Sequence, residues 1–165
     1  MSNLQQQLDR IAAKLASKID NALANEVADA VREEEAATIK EVVYSVYTPK
    51  LYRRRGNLDG FGDPYNIDAE VKDGVLTVKN VTEPNPGGTL NDGAVTTGKS
   101  LDKLVEYGHG SVGGSYDFPM RGADFMKPRP FTAETIKRLR KTKKLVHALQ
   151  KGLKRQKIKT TRNVR

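Results

Sequence analysis

Apolar residues open the chain at intervals of three or four: Leu4, Leu8, Ile11, Leu15, Ile19 and Leu23, continuing through Val27 and Val31. That spacing lines one side of an α-helix. Ala12, Ala16, Ala22 and Ala30 flank the stripe, and neither Gly nor Pro occurs in residues 1–47. Ala, Leu, Gln, Glu and Lys, all good helix formers, fill much of the rest. The pattern predicts one long N-terminal helix over 1–47. A helix of about 40 residues would run roughly 60 Å, farther than a small domain is wide. Part of its stripe is expected to pack on the domain. The leading part, at Leu4, Leu8 and Ile11, is expected to form an oligomer interface.

The pattern changes at VVYSVYTPK, where Val and Tyr replace Ala and Glu, and Pro49 disfavours helix for the residue before it. Gly56, Gly60, Gly62 and Pro64 then mark a loop. Residues 67–81, IDAEVKDGVLTVKNV, alternate in the manner of a half-buried strand. Ile67, Ala69 and Val71 would share one face, and Asp73-Gly74 is the turn. Val75, Leu76, Val78 and Val81 would carry the return strand of a β-hairpin. Residues 83–100 are Pro, Gly, Asn and Thr with few apolar positions, and read as a long excursion. LDKLVEY at 101–107 predicts two helical turns before Gly108. A second glycine-rich stretch leads to a closing helix from Thr132, with Thr132 as N-cap and Glu134 placed to suit the helix dipole. Ile136, Leu139, Leu145, Val146, Leu149 and Leu153 would form its apolar side, with Gly152 weakening its end.

The fold class expected is therefore α+β: a long N-terminal helix, a small antiparallel β-sheet with long loops, and a basic C-terminal helix. As domains, this is a single unit over 1–165. The helix takes 1–47, a β-rich core with extended loops 48–131, and the basic helix and tail 132–165.

Charge sharpens this picture. The formal net charge is +9 over 165 residues, yet residues 1–120 carry thirteen basic and eighteen acidic side chains. Residues 121–165 carry sixteen basic and two acidic. The whole excess lies at one end, which is expected to meet something negative. Lys141, Lys143, Lys144, Lys151, Lys154 and Arg155 are the candidate nucleic-acid or polyanion contacts. The run Arg53–Arg54–Arg55 is either a second such contact or a solvated turn beside Asp59 and Asp63.

Chemistry is sparse. Cysteine is absent, and the two histidines, His109 and His147, lack ligand spacing, so no metal site is expected. GAVTTGKS at 93–100 fits the phosphate-loop pattern G-x-x-x-x-G-K-[ST] letter for letter. A working phosphate loop sits between a buried strand and a helix N-terminus. Here NPGGTLND precedes Gly93, and no apolar strand ending in Asp follows to hold Mg²⁺. The match is read as a loop, and no cofactor is expected. The acids Asp59, Asp63, Glu83 and Asp92 show no sign of an apolar pocket that would separate their pKa values. Ser111 and Ser115 beside His109 do not make a nucleophile elbow. No catalytic residue is expected, and the chain reads as a non-enzyme. With no apolar run of about 20 residues and no leader-like N-terminus, it is expected to be made in a cytoplasm and to touch no membrane.

Taken in order, the long helix, hairpin, LVEYGHG (104–110), Gly-rich loop, PRPF (128–131) and closing helix resemble the tail-completion, or head–tail joining, proteins of tailed bacteriophages. The resemblance rests on the acidic–aromatic–glycine step Glu106-Tyr107-Gly108 and on Arg129-Pro130-Phe131 just before the last helix. The family's Thr-Gly-x-Leu-Arg-type turn survives here only as Gly56-Asn57-Leu58. The resemblance implies a structural virion protein at the neck or tail end, assembled in the host cytoplasm. It implies a homo-oligomeric ring, hexameric or dodecameric, around the DNA channel. Its partners would be the connector or portal-side neck protein, the tail tube protein and packaged DNA. The alternatives are a basic nucleic-acid-binding protein using the C-terminal helix, or another minor capsid or connector component.

Overall fold

The computed structural model describes residues 3–46, 60–82, 101–107 and 127–160. It is an α+β structure with helices at both ends and one two-stranded antiparallel sheet among the described residues. The N-terminal helical segment runs from Asn3 to Tyr44: α1 (Asn3–Ala22), a π-helical turn Leu23–Val27, α2 (Ala28–Thr38), and a second π-helical turn Ile39–Tyr44. The expected helix is thus present, but it is not uniformly wound. In the first wide turn the Ala28 N–H donates to the Leu23 carbonyl, five residues back. The buried face accordingly steps five residues, from Ala22 to Val27, where a regular α-helix would step three or four.

The hairpin is β1 (Ile67–Lys72) and β2 (Val75–Asn80). Asp73 and Gly74 both have positive φ, 51° and 77°, as the tight two-residue turn requires. With that turn Val71 lies opposite Leu76, Ala69 opposite Val78 and Ile67 opposite Asn80. The sheltered face of the return strand is therefore Leu76, Val78 and Asn80, while Val75 and Val81 are exposed. Val75 begins this strand as expected but faces outward, as a period of two counted from the turn requires, and Val81 falls just past the strand's end. α3 (Leu101–Tyr107) occupies the two turns expected of LDKLVEY.

The closing helix is divided. α4 (Phe131–Thr142) and α5 (Lys144–Arg155) meet at Lys143, whose φ of 53° is left-handed. The break changes the phase of the apolar side. Leu139 before the break is buried, but Val146 beyond it, expected on the same face, is exposed; Ile136, which precedes the break on α4, is exposed as well. Thr132 is not the cap. The helix starts at Phe131, and the Thr132 N–H donates to the Glu106 carboxylate at 2.9 Å. The cap is supplied by another element of the chain. Glu134 does sit in the first turn, where it pairs with Lys137 and Arg138.

Chain contacts divide the molecule into two compact units, one drawing on Met1–Val31, Ala69–Val78 and Leu139–Arg165, the other on Arg32–Asp68 and Lys79–Arg138. In the second, Ile39, Val43, Phe61, Val105 and Phe131 form the core, with Tyr44 against it. Phe61 and Phe131 meet edge to face, ring centres 5.0 Å apart, an arrangement that suits the aromatic quadrupole. The Tyr44 hydroxyl accepts from the Gly62 N–H at 3.0 Å. Asn80 ties this core to the chain around it. Its amide donates to the Phe61 carbonyl at 3.0 Å and to Glu35 Oε1 at 3.3 Å, and its oxygen accepts from the Thr82 N–H.

Candidate polyanion-binding face

In the first unit α5 lies against the end of α1 and the first π-helical turn. The helices approach closely at Gly152, which is buried: a Cβ there would come within 2.6 Å of the Ala22 Cβ and 2.6 Å of Glu26 Oε2. Its role is the reverse of the weak helix end expected from propensity, since the crossing needs a residue without a side chain. Polar groups fasten the same contact. Lys18 Nζ donates to the Gln156 carbonyl at 3.0 Å, and Gln156 Nε2 returns a bond to the Lys18 carbonyl at 2.8 Å. Arg155 Nε pairs with Glu26 Oε1 at 2.6 Å while its Nη2 donates to Asn21 Oδ1 at 2.9 Å.

Beyond Arg155 the chain turns in a Schellman motif. Lys157 is left-handed at φ 60°, its N–H donates to the Lys154 carbonyl, and the Ile158 N–H donates to that of Leu153. The turn brings Thr160 back beside α5, making an open groove of about 450 Å³ lined by His147, Gln150, Lys151, Lys154 and Thr160. Positions 147, 150, 151 and 154 follow the three-and-four spacing of one helix face. Ala148, Gly152 and Gln156 lie around the helix from it, on the side turned to α1.

Lys141, Lys143, Lys144, Lys151 and Lys154 are all exposed. Lys151 and Lys154 share the groove, and Lys144 lies on the same helix about 15 Å from Lys154 along its axis. Lys141 and Lys143 stand at the end of α4 and at the break that follows it. The Arg155 guanidinium is held by Glu26 and Asn21. Its acidic partner lies 129 residues earlier, so no local pattern could have marked it as structural. His147, Gln150 and Thr160 were not singled out as contacts. The helical spacing 147–150–151–154 was readable, but the return of Thr160 depends on a left-handed lysine that composition does not announce.

The candidate interface residues Leu4, Leu8 and Ile11 lie on α1 and are 66%, 51% and 63% exposed. Every residue from Asn3 to Ser17 is exposed. The two stretches that carry the phage resemblance come together in the second unit. The Glu106 carboxylate accepts from Thr132, the Arg129 N–H donates to the Val105 carbonyl at 2.9 Å, and Arg129 Nη1 reaches the Val43 carbonyl. Gly93–Ser100, the Arg53–Arg55 run, Gly56-Asn57-Leu58, Gly108, His109, Ser111 and Ser115 lie outside the described residues. Among the described residues no group of three or more His, Asp or Glu could hold a metal ion, and no helix is long and apolar enough to cross a membrane.

Three carboxylates, Glu35, Glu41 and Glu134, are shifted by their surroundings, and the first two shift in opposite directions. Burial pushes the Glu35 carboxyl above its usual range, opposed by the hydrogen bond from Asn80 and reinforced by the acids Asp102 and Glu106. The hydrogen bond from Arg138 holds the exposed Glu41 carboxyl below it. None of the three lines the groove on α5.

A family model described as YomN matches residues 3–155. The chain belongs to the YomN family. The match takes in every element from α1 to the end of α5, so four of the five groove-lining residues fall within it and Thr160 lies beyond. No curated protein and no solved structure matches the chain.

Proposed function

We propose that this YomN-family chain is a structural protein of a tailed-bacteriophage virion. It would form a ring at the neck or tail end that completes the tail or joins it to the head. The observation that carries the reading is the leading part of α1, where an apolar stripe stands exposed on a helix that extends past its own packing. Such a stripe calls for a partner, and a ring of identical subunits supplies one to every copy. The family takes its name from a phage-like gene, which agrees with this setting. So does the joining of the two stretches at the start of α4, where the Arg129 N–H donates to the Val105 carbonyl and that of Thr132 to the Glu106 carboxylate. The role is mechanical rather than catalytic, with the connector above, the tail tube below and packaged DNA inside.

The test is the triple variant Leu4→Asp, Leu8→Asp, Ile11→Asp. Native mass spectrometry should show loss of the oligomer while circular dichroism of the protein stays near that of wild type. Complementation of a phage lacking the gene should give no incorporation into particles. Global unfolding of the variant, or an unchanged oligomer, would sink the proposal.

A further inference from the structure

The groove on α5 combines three properties that narrow its ligand. Lys151 and Lys154 place positive charge one helical turn apart on an exposed face, and Lys144 continues the charge along the same helix. Gln150, His147 and Thr160 add further hydrogen-bonding groups to the wall. None of the five lining residues is aliphatic or an aromatic stacking platform of the Phe, Tyr or Trp kind.

The lining decides between classes of polyanion. An acidic protein partner would be expected to bury an apolar centre within its polar rim. Nucleic-acid interfaces are more polar and more positively charged. Single strands are held by stacking bases on aromatic rings as well as by charge, and this groove offers only the small imidazole of His147, with no Phe, Tyr or Trp face. What remains is the phosphate backbone of a duplex, contacted by point charges and amide or hydroxyl donors that read no sequence.

We propose that the α5 groove is a sequence-independent binding site for the phosphodiester backbone of double-stranded DNA. Lys151 and Lys154 each neutralise one phosphate, and Gln150 and Thr160 hydrogen-bond to phosphate oxygens between them. Arg155 takes no part, because its pairing with Glu26 holds the helix that presents the groove. The site is built within one protomer and stands whether or not the chain forms a ring.

The experiment is fluorescence anisotropy with a short labelled DNA duplex, using the full-length protein over a range of salt concentrations. Lys151→Gln/Lys154→Gln should weaken binding on the order of tenfold at physiological salt. It should also reduce the slope of log affinity against log salt by about 2, since each lost phosphate contact removes about 0.9. Lys72→Gln/Lys79→Gln, which deletes the same charge from exposed positions on the hairpin, should bind like wild type. Lys151→Arg/Lys154→Arg should retain affinity and slope. The duplex should bind more tightly than a single strand, irrespective of sequence, and polyglutamate should compete poorly. Equal losses in the two glutamine variants would reduce the effect to overall charge and overturn the site. So would an unchanged Lys151→Gln/Lys154→Gln variant, a preference for the single strand, or effective competition by polyglutamate. The oligomeric state, measured on the same samples, separates this outcome from any failure of the ring.

Discussion

At the α1–α5 crossing Ala22 meets Gly152, where no side chain would fit, whereas the other unit closes on Phe61, Phe131 and Ile39. In the first unit, helices approach because side chains are missing, and Arg155, Gln156 and Lys18 fix the result with hydrogen bonds at the rim. In the second, large rings fill the space, and a buried amide, Asn80, satisfies the backbone around them. A small-residue crossing buries little apolar area for the chain it orders. It does fix the rotation of α5, and with it the direction of the lysines. An aromatic core does the opposite: it supplies stability and leaves the orientation of surface charge to other residues.

The two designs should break differently. Phe131→Ala removes half of the ring pair and leaves a cavity, so it should cost about 3–5 kcal/mol in chemical denaturation. Hydrogen exchange should rise first in α3, α4 and residues 60–66, while duplex affinity at low denaturant stays near wild type. A loss of protection concentrated in α5 would contradict the assignment of Phe131 to the second unit's core.

Gly152→Ala should show the reverse profile. Alanine is ordinarily better than glycine in a helix by about 1 kcal/mol. Here its methyl would collide with Ala22, so overpacking of about 1–3 kcal/mol should win. Thermal denaturation should show net destabilisation, with partial rescue by adding Ala22→Gly. A more stable Gly152→Ala single variant would mean that the helices are farther apart than described.

Glu35 tests the buried polar side of the aromatic unit. Its folded pKa lies above its unfolded value, so the folded state holds more protons between the two. Stability therefore falls as pH rises through that window. Glu35→Gln keeps an oxygen to accept from Asn80 but removes the buried charge. Its melting temperature should exceed that of wild type at neutral pH. The gain should vanish below the unfolded carboxyl value of about 4.3. A gain that persists unchanged to low pH would exclude the charge as its cause.

The smallest effect is expected at the Schellman turn. Lys157→Gly relieves a left-handed side chain and should stabilise the first unit by about 0.5 kcal/mol, seen as a slight rise in melting temperature. Destabilisation would show that the lysine stem contributes packing that its backbone conformation conceals.

Local patterns carried much of this architecture. The Asp73-Gly74 turn and its flanking alternation were sufficient for the hairpin, because register there is set by two adjacent residues. LDKLVEY gave α3, and the three-and-four spacing gave the N-terminal helix and the exposed stripe. What stayed hidden depends on distant partners. Gly60–Asp63 read only as loop, although Phe61 belongs to the core and the Gly62 N–H is bonded to Tyr44. Nothing in the strand's alternation sets Asn80 apart, although its amide bonds the backbone around the core. Lys143 carries no breaker's signature, so the division between α4 and α5 was invisible. In the candidate site, five exposed lysines followed from charge alone, but the separate role of Arg155 required Glu26, and the groove required the return of Thr160.

The bond from Thr132 to Glu106 has a kinetic consequence. A helix that carries its own N-cap can start as soon as its first turn is synthesised. α4 instead draws its cap from a residue 26 positions earlier, so its start becomes favourable only after α3 has formed and closed onto it. Closing that loop costs chain entropy before any helical bond repays it. The fraying of the α4 start should therefore report the docking of α3, and an isolated peptide spanning 127–155 should lose its first turn even where α5 remains helical. In assembly terms, this helix has a built-in order of events: the end of the chain waits for the middle.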